Sequence, residues 1–141
     1  MAAIAIQRRV PARGIPAPRS LRRWADAALG RRRGEVTIRI VGEPESQALN
    51  RDYRGKDKPT NVLSFEGGHA PVIGDLVICA PVVAREARAQ GKSAAAHWAH
   101  MVVHGCLHLL GHDHVRASEA RTMEAREVSL LRTLGFADPY R

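Results

Sequence analysis

The stretch Ser93-Ala94-Ala95-Ala96-His97-Trp98-Ala99-His100-Met101-Val102-Val103-His104-Gly105-Cys106-Leu107-His108-Leu109-Leu110-Gly111-His112-Asp113-His114 decides how this chain is read. Ser93 suits a helix N-cap, because its hydroxyl can accept from a backbone N–H that the first turn leaves unpaired. The expected helix covers 94–110 and ends at Gly111, a residue that takes left-handed backbone and lets the chain reverse. Along it His97, His100, His104 and His108 follow one another by three, four and four residues, so they share one helical face. Two imidazoles four residues apart can converge on one ion, and a third has to return from beyond the turn. His112 and His114 both lie there.

The spacing His104, His108, His114 with a glycine at 111 is similar to the HExxHxxGxxH zinc site of the metzincin peptidases at every position but one. Where those enzymes carry the glutamate that serves as general base, this chain has Gly105, which disfavours peptidase chemistry. Three neutral histidines leave a zinc ion one open position for water, which is a hydrolytic arrangement. His104, His108 and His114 are therefore the candidate metal ligands, for one Zn2+ ion. His100 is a candidate partner behind the ligands, as is Asp113, which either orients a ligand imidazole or satisfies backbone donors at the turn. His97 packs or supports in the same way.

Outward from this helix, the chain alternates short strands and helices. Strands are expected over 4–10, over 35–41 with Val36, Ile38 and Ile40 on one face, over 62–65 and over 75–79. Helices are expected from Ser20 as cap to Leu29, over 44–53, from Pro81 to Gln90, and from Ser118 as cap to Leu134. Residues 66–74 read as a loop or hairpin connection, and the remainder as loop. Interspersed strands and helices without strict βαβ repetition imply an α/β, α+β-like fold. It is a single domain over 1–141 with a small mixed sheet of about four strands and about five helices, the metal site sitting on the penultimate helix and the turn after it.

Bulk properties agree with one domain: 141 residues, 45% hydrophobic, are enough for one core. Cys79 and Cys106 are too few for a disulfide framework and sit in apolar stretches, so the cytoplasm is the expected compartment. No stretch has the roughly 18 apolar residues of a membrane span. Charge is uneven. Residues 1–34 hold nine arginines and one acid, which accounts for the whole formal net charge of +8. Arg8, Arg9, Arg13, Arg19, Arg22, Arg23 and the run Arg31, Arg32, Arg33 form either a polyanion-binding patch or a solvated face.

A second distinctive segment is Leu49-Asn50-Arg51-Asp52-Tyr53-Arg54-Gly55-Lys56-Asp57-Lys58-Pro59-Thr60-Asn61-Val62-Leu63-Ser64-Phe65, a basic loop that leads into a strand. This segment, Gly74-Asp75-Leu76-Val77-Ile78-Cys79, and the histidine stretch with its HGxLHLxGxDH-like core at 104–114 together resemble the bacterial YbeY family of endoribonucleases. The similarity covers most of 35–141. It implies a single-domain α/β metalloprotein, zinc at the three histidines, a functional arginine at Arg54, and a role in 16S ribosomal RNA maturation and ribosome quality control. The chain departs from the family pattern at His112, where an aromatic is common, in the short glycine-rich loop 67–73, and in its basic first 34 residues.

The expected function is metal-assisted cleavage of single-stranded ribosomal RNA, in association with the ribosome and away from membranes. Arg54 stabilises charge at the reacting phosphate, and Arg54 and Lys56 are candidate substrate contacts. Two other readings stand beside it: a metzincin-like protease lacking its glutamate, and a non-catalytic RNA- or ribosome-binding protein in which zinc only stabilises the fold.

Overall fold

The computed structural model describes residues 2–112 and 116–141, so Asp113 and His114 lie outside the described residues. Among the described residues the order is β1 (Ala3–Arg8), α1 (Pro18–Leu29), β2 (Glu35–Val41), α2 (Glu43–Arg54), β3 (Val62–Glu66), β4 (Val72–Cys79), α3 (Ala80–Ala89), α4 (Ala94–Leu109) and α5 (Ala117–Thr133). The four strands form one mixed sheet in the order β1-β2-β4-β3. β1, β2 and β4 are parallel, and β3 runs antiparallel along β4. Among the described residues no helix is long and apolar enough to cross a membrane.

Alternation in β2 fixes the layers. Val36, Ile38 and Ile40 face one side, level with Ile4 and Ile6 of β1 and with Leu76 and Ile78 of β4. Against them α1 and α4 lay Leu21, Trp24, Trp98, Val102 and Cys106, which complete the main core. On the opposite face Leu63, Val77, Cys79 and Val82 form a smaller cluster, with Leu49 and Phe65 packed on it. Because β4 is covered on both faces, residues 76–79 read as an unbroken apolar run rather than an alternating one.

Three sequence expectations need correction. α1 starts at Pro18, with Ala17 as N-cap and no side-chain cap bond. Proline lacks the N–H that would be unpaired there and already has helical φ, so it displaces Ser20 from the capping role. α5 starts at Ala117, which puts Ser118 inside the helix; its carbonyl accepts from the Thr122 hydroxyl at 3.0 Å. β4 begins at Val72 rather than Asp75: its pairing with β2 reaches Val72 and with β3 reaches Gly74 opposite Glu66, so 66–74 is a hairpin connection whose ends belong to the ladder. Ser93 caps α4 as expected, accepting the Ala96 N–H at 3.1 Å.

α4 is the central element, in contact with α1, α3, α5, β3 and β4. It lies tight against the sheet at Gly105, where a Cβ would stand 2.7 Å from Leu76 Cδ2 and 3.3 Å from Val62 Cγ2. The missing side chain lets the helix press onto β4 and β3. It also fixes the helix's rotation: position 105 faces the sheet, and His100, His104 and His108 face α5 and the β3 edge.

Candidate metal centre

The histidines of α4 form a string from interior towards surface. Successive ring centroids from His97 through His100 and His104 to His108 are 6.1, 6.1 and 4.8 Å apart. Side-chain exposure rises along it, from 3% at His97 to 11% at His100 and 25% at His104. The outer end is therefore the end that can meet a ligand from solvent.

Behind His104 lies a residue the sequence reading missed. The Glu127 side chain, on α5, is completely buried, and its Oε1 stands 2.6 Å from His104 Nδ1 and 3.2 Å from His100 Nε2. Its Oε2 accepts from the Tyr140 hydroxyl, which also lies 3.3 Å from His100 Nε2. Burial alone favours the neutral acid. Hydrogen bonds from His100, His104 and Tyr140, with the charge of His104, outweigh it and hold the carboxyl down to about 2. Burial, and then the bond to Glu127, push the Tyr140 hydroxyl up. An ionised carboxylate accepts only, so His104 donates from Nδ1, which leaves Nε2 as the ring atom a metal would take.

His100, His104 and Glu127 each offer one ligand atom within 4.8 Å of the others, so the described residues contain a His/His/Glu cluster able to hold a metal ion. The shortest spacing in it suits a hydrogen bond better than shared coordination. Two donors on one tetrahedral zinc, each about 2.0–2.1 Å from the ion, stand about 3.3 Å apart, against 2.6 Å for His104 Nδ1 and Glu127 Oε1. Histidine nitrogens backed by a carboxylate are the donor set that zinc favours, and the residues fit such an ion. Nδ1 of His97 and of His100 are buried without a hydrogen-bond partner among the described residues.

Arg54 reaches the outer end of the string from the other side. It closes α2, and its guanidinium donates to Ser64 O at 2.8 Å and to Tyr53 O at 3.2 Å while lying 5.2 Å from the centre of the Phe65 ring. Ser64 in turn donates from its hydroxyl to Gly105 O at 3.3 Å, which ties β3 to α4. Arg54, Ser64, Phe65, Glu66 and His108 together line a recess of about 330 Å³. Lys56 lies in the loop beyond α2, and its side chain does not line this recess. Leu107 O accepts the His112 N–H at 3.0 Å, and His112 lines a separate recess with Ser118, Glu119 and Thr122. Of the sequence-derived site residues, the fold thus brings His104, His108 and Arg54 to one place. It puts His100 behind them and Lys56 aside.

Cys106 sits between two of these histidines in sequence but takes no part. It is fully buried on the core side, and burial pushes its thiol up to about 12, so no thiolate nucleophile forms near neutrality.

A mixed four-stranded α/β layer with a carboxylate-backed histidine cluster on a central helix, faced by an arginine, defines a small metalloprotein of hydrolytic type. The family model for endoribonuclease YbeY matches residues 17–135, and this chain belongs to that family. The match takes in α1, upstream of the residues that carry the resemblance in the sequence. Endoribonuclease YbeY of Methylococcus capsulatus (strain Bath) is 58% identical, over 90% of this chain and 88% of its own. The solution structure of TM1509 from Thermotoga maritima superposes with a TM-score of 0.61 at 22% identity, covering 100% of this chain and 99% of that one, which shows a shared fold.

Proposed function

We propose that this protein is a zinc-dependent endoribonuclease that cleaves single-stranded RNA during 16S ribosomal RNA maturation and ribosome quality control. The observation that carries the reading is that Arg54 and His108 line one recess beside His104, whose imidazole is aimed by a buried, ionised glutamate. The name of the 58%-identical relative supports the activity. The ligands in this reading are His104, His108 and His114, with Glu127 behind His104 as partner and His100 one step further in.

Zinc held there supplies Lewis-acid chemistry towards a phosphodiester. The chain supplies the rest. Arg54, pinned to Ser64 O and stacked on Phe65, presents its remaining guanidinium N–H groups to phosphate oxygens, where charge accumulates in the transition state. Glu127 keeps His104 in one tautomer and one orientation. Gly105 contributes no base, because its position faces Leu76 rather than the recess. That geometry weighs against the protease reading more strongly than the absence of a carboxylate does. A cytoplasmic setting is part of the proposal, supported by two free, buried cysteines.

The test is cleavage of a single-stranded RNA by the zinc-loaded protein. Activity is expected to vanish on chelation and in His108→Ala, and to fall in Arg54→Ala by the roughly 100-fold or more typical of a lost charge-stabilising donor, with zinc content unchanged. Product ends assign the nucleophile: a 2′,3′-cyclic phosphate means the substrate's own 2′-hydroxyl, and a 5′-phosphate means water. Full activity in Arg54→Ala sinks the arginine's role, and RNA binding without cleavage by the wild type leaves the zinc-stabilised binding protein as the better reading.

A further inference from the structure

The nine arginines of the first 34 residues are not one patch. Arg8 donates to Val10 O, Arg22 to Ile4 O and Arg23 to Leu134 O, so these three serve the local backbone. Arg8 and Arg22 also line a recess with Ile6, Ile15 and Leu21, at the junction of β1 and α1. Arg31, Arg32 and Arg33 differ: they are exposed, and their side chains make no hydrogen bond or ion pair among the described residues.

Their position is set by the next residue. Gly34 has φ +136°, and a Cβ there would meet Pro71 O at 2.5 Å and Ile73 Cγ1 at 2.8 Å, so only glycine allows the turn into β2 to press against the β3–β4 connection. The Glu35 N–H donates to Pro71 O at 2.9 Å, which fixes the two segments together. As a result Arg32 and Arg33 line a recess of about 260 Å³ with Glu66, Gly67, His69 and Leu109. This recess adjoins the one that holds Arg54 and His108. Glu66 lines both, and His108 and Leu109 are consecutive on α4. Glu66 is exposed and is the one acid at the junction among the described lining residues.

We infer that Arg32 and Arg33, with the 67–71 connection and the start of β4 as floor, form an extension of the cleavage site that holds backbone phosphates of a single strand beyond the nucleotides at Arg54. The inference rests on the nuclease reading above. Flexible cations facing solvent beside a recess suit a phosphodiester chain, which needs charge at intervals and no base-specific fit. An exposed acid at the junction suits a passage where bases or ribose, rather than phosphate, cross. The short glycine-rich connection and the basic run, two of the three features in which this sequence departs from its family pattern, meet in this one recess.

The experiment compares single-stranded RNAs of about 4 and about 12 nucleotides, cleaved by the zinc-loaded full chain at about 50 and about 200 mM salt. Two phosphate contacts contribute about 1.4 to the slope of log affinity against log salt for a single strand, which is about sevenfold over that range. In Arg32→Gln/Arg33→Gln the kcat/KM on the long RNA is expected to lose about sevenfold less to salt than in the wild type, while kcat on the short RNA stays unchanged. Arg13→Gln/Arg19→Gln, which removes the same formal charge from exposed positions elsewhere, is expected to keep the wild-type slope. Equal flattening by both pairs, or none by the Arg32/Arg33 pair in an enzyme that cleaves, overturns the extension and leaves the nuclease reading standing. If the wild type cleaves neither RNA, the nuclease reading fails first. The salt slope of long-RNA binding, read by fluorescence anisotropy in the same variants, then decides the recess by the same criteria.

Discussion

Two glutamates pair with histidines of α4, and the two sites are built in opposite senses. At the inner end His97 is almost wholly buried and its partner Glu86, 2.8 Å away, keeps a third of its side chain exposed and takes a second bond from Asn61. At the outer end Glu127 is wholly buried and His104 is the member that reaches towards solvent. The inner pair anchors α4 to α3 and to the start of β3. The outer pair spends a buried charge, three hydrogen bonds and part of the main core to hold an imidazole at a recess. Which member of such a pair is exposed separates a structural histidine from one positioned for chemistry.

Substituting the two acids separates the sites most directly. Glu127→Gln keeps the shape but presents an amide that can no longer accept at both oxygens, and zinc affinity is expected to fall by about 10- to 100-fold in competition with a chromophoric chelator. Glu86→Gln should leave zinc affinity within about twofold; an equal loss in both variants would erase the distinction. Gly105→Ala tests the packing that aims the string. Wedging a methyl against Leu76 should cost about 1–3 kcal/mol in urea unfolding, with zinc affinity reduced only as far as the helix rotates. Smaller again is Tyr140→Phe, which leaves one buried carboxylate oxygen short of a donor. About 1–2 kcal/mol of stability should go, and zinc affinity should fall by less than in Glu127→Gln. The smallest change is expected for Asn61→Ala, about 1 kcal/mol with zinc binding intact, since Glu86 is open to water that can replace the lost donor.

What was legible in the sequence was local. Histidines at three- and four-residue spacing, the alternation of β2, and Ser93 before an apolar helix are all written within one or two turns of chain, and each appears in the fold. Glu127 and Tyr140 were missed because their partners lie 23 and 13 residues away, and only the packing of α5 on α4 and the return of the segment after α5 bring them together. A signal was present: Glu127 falls on the stripe of Met123, Leu130 and Leu131, so an acid occupies a core position of an amphipathic helix. Such a residue is buried only if paired. Ser20 and Ser118 misled because hydroxyl residues near helix starts are common, and the true first residue was set by Pro18 in one case and lies two residues earlier, at Ala117, in the other. Lys56 was grouped with Arg54 by proximity in sequence, yet the helix end at Gly55 turns the chain between them. His114 and Asp113 lie outside the described residues, and their roles stay with the proposal.

Gly105 also has an evolutionary reading. Glycine and glutamate codons can differ by a single nucleotide, so the substitution that would complete the peptidase-like motif is an easy one for mutation to sample. In this fold the neighbouring sequence offers no neighbouring function, because a side chain at 105 would enter the sheet against Leu76 and Val62 before it met any substrate. Reaching protease chemistry from here would require turning the whole helix. The histidine spacing can thus be shared with peptidases while the route between the two activities stays closed.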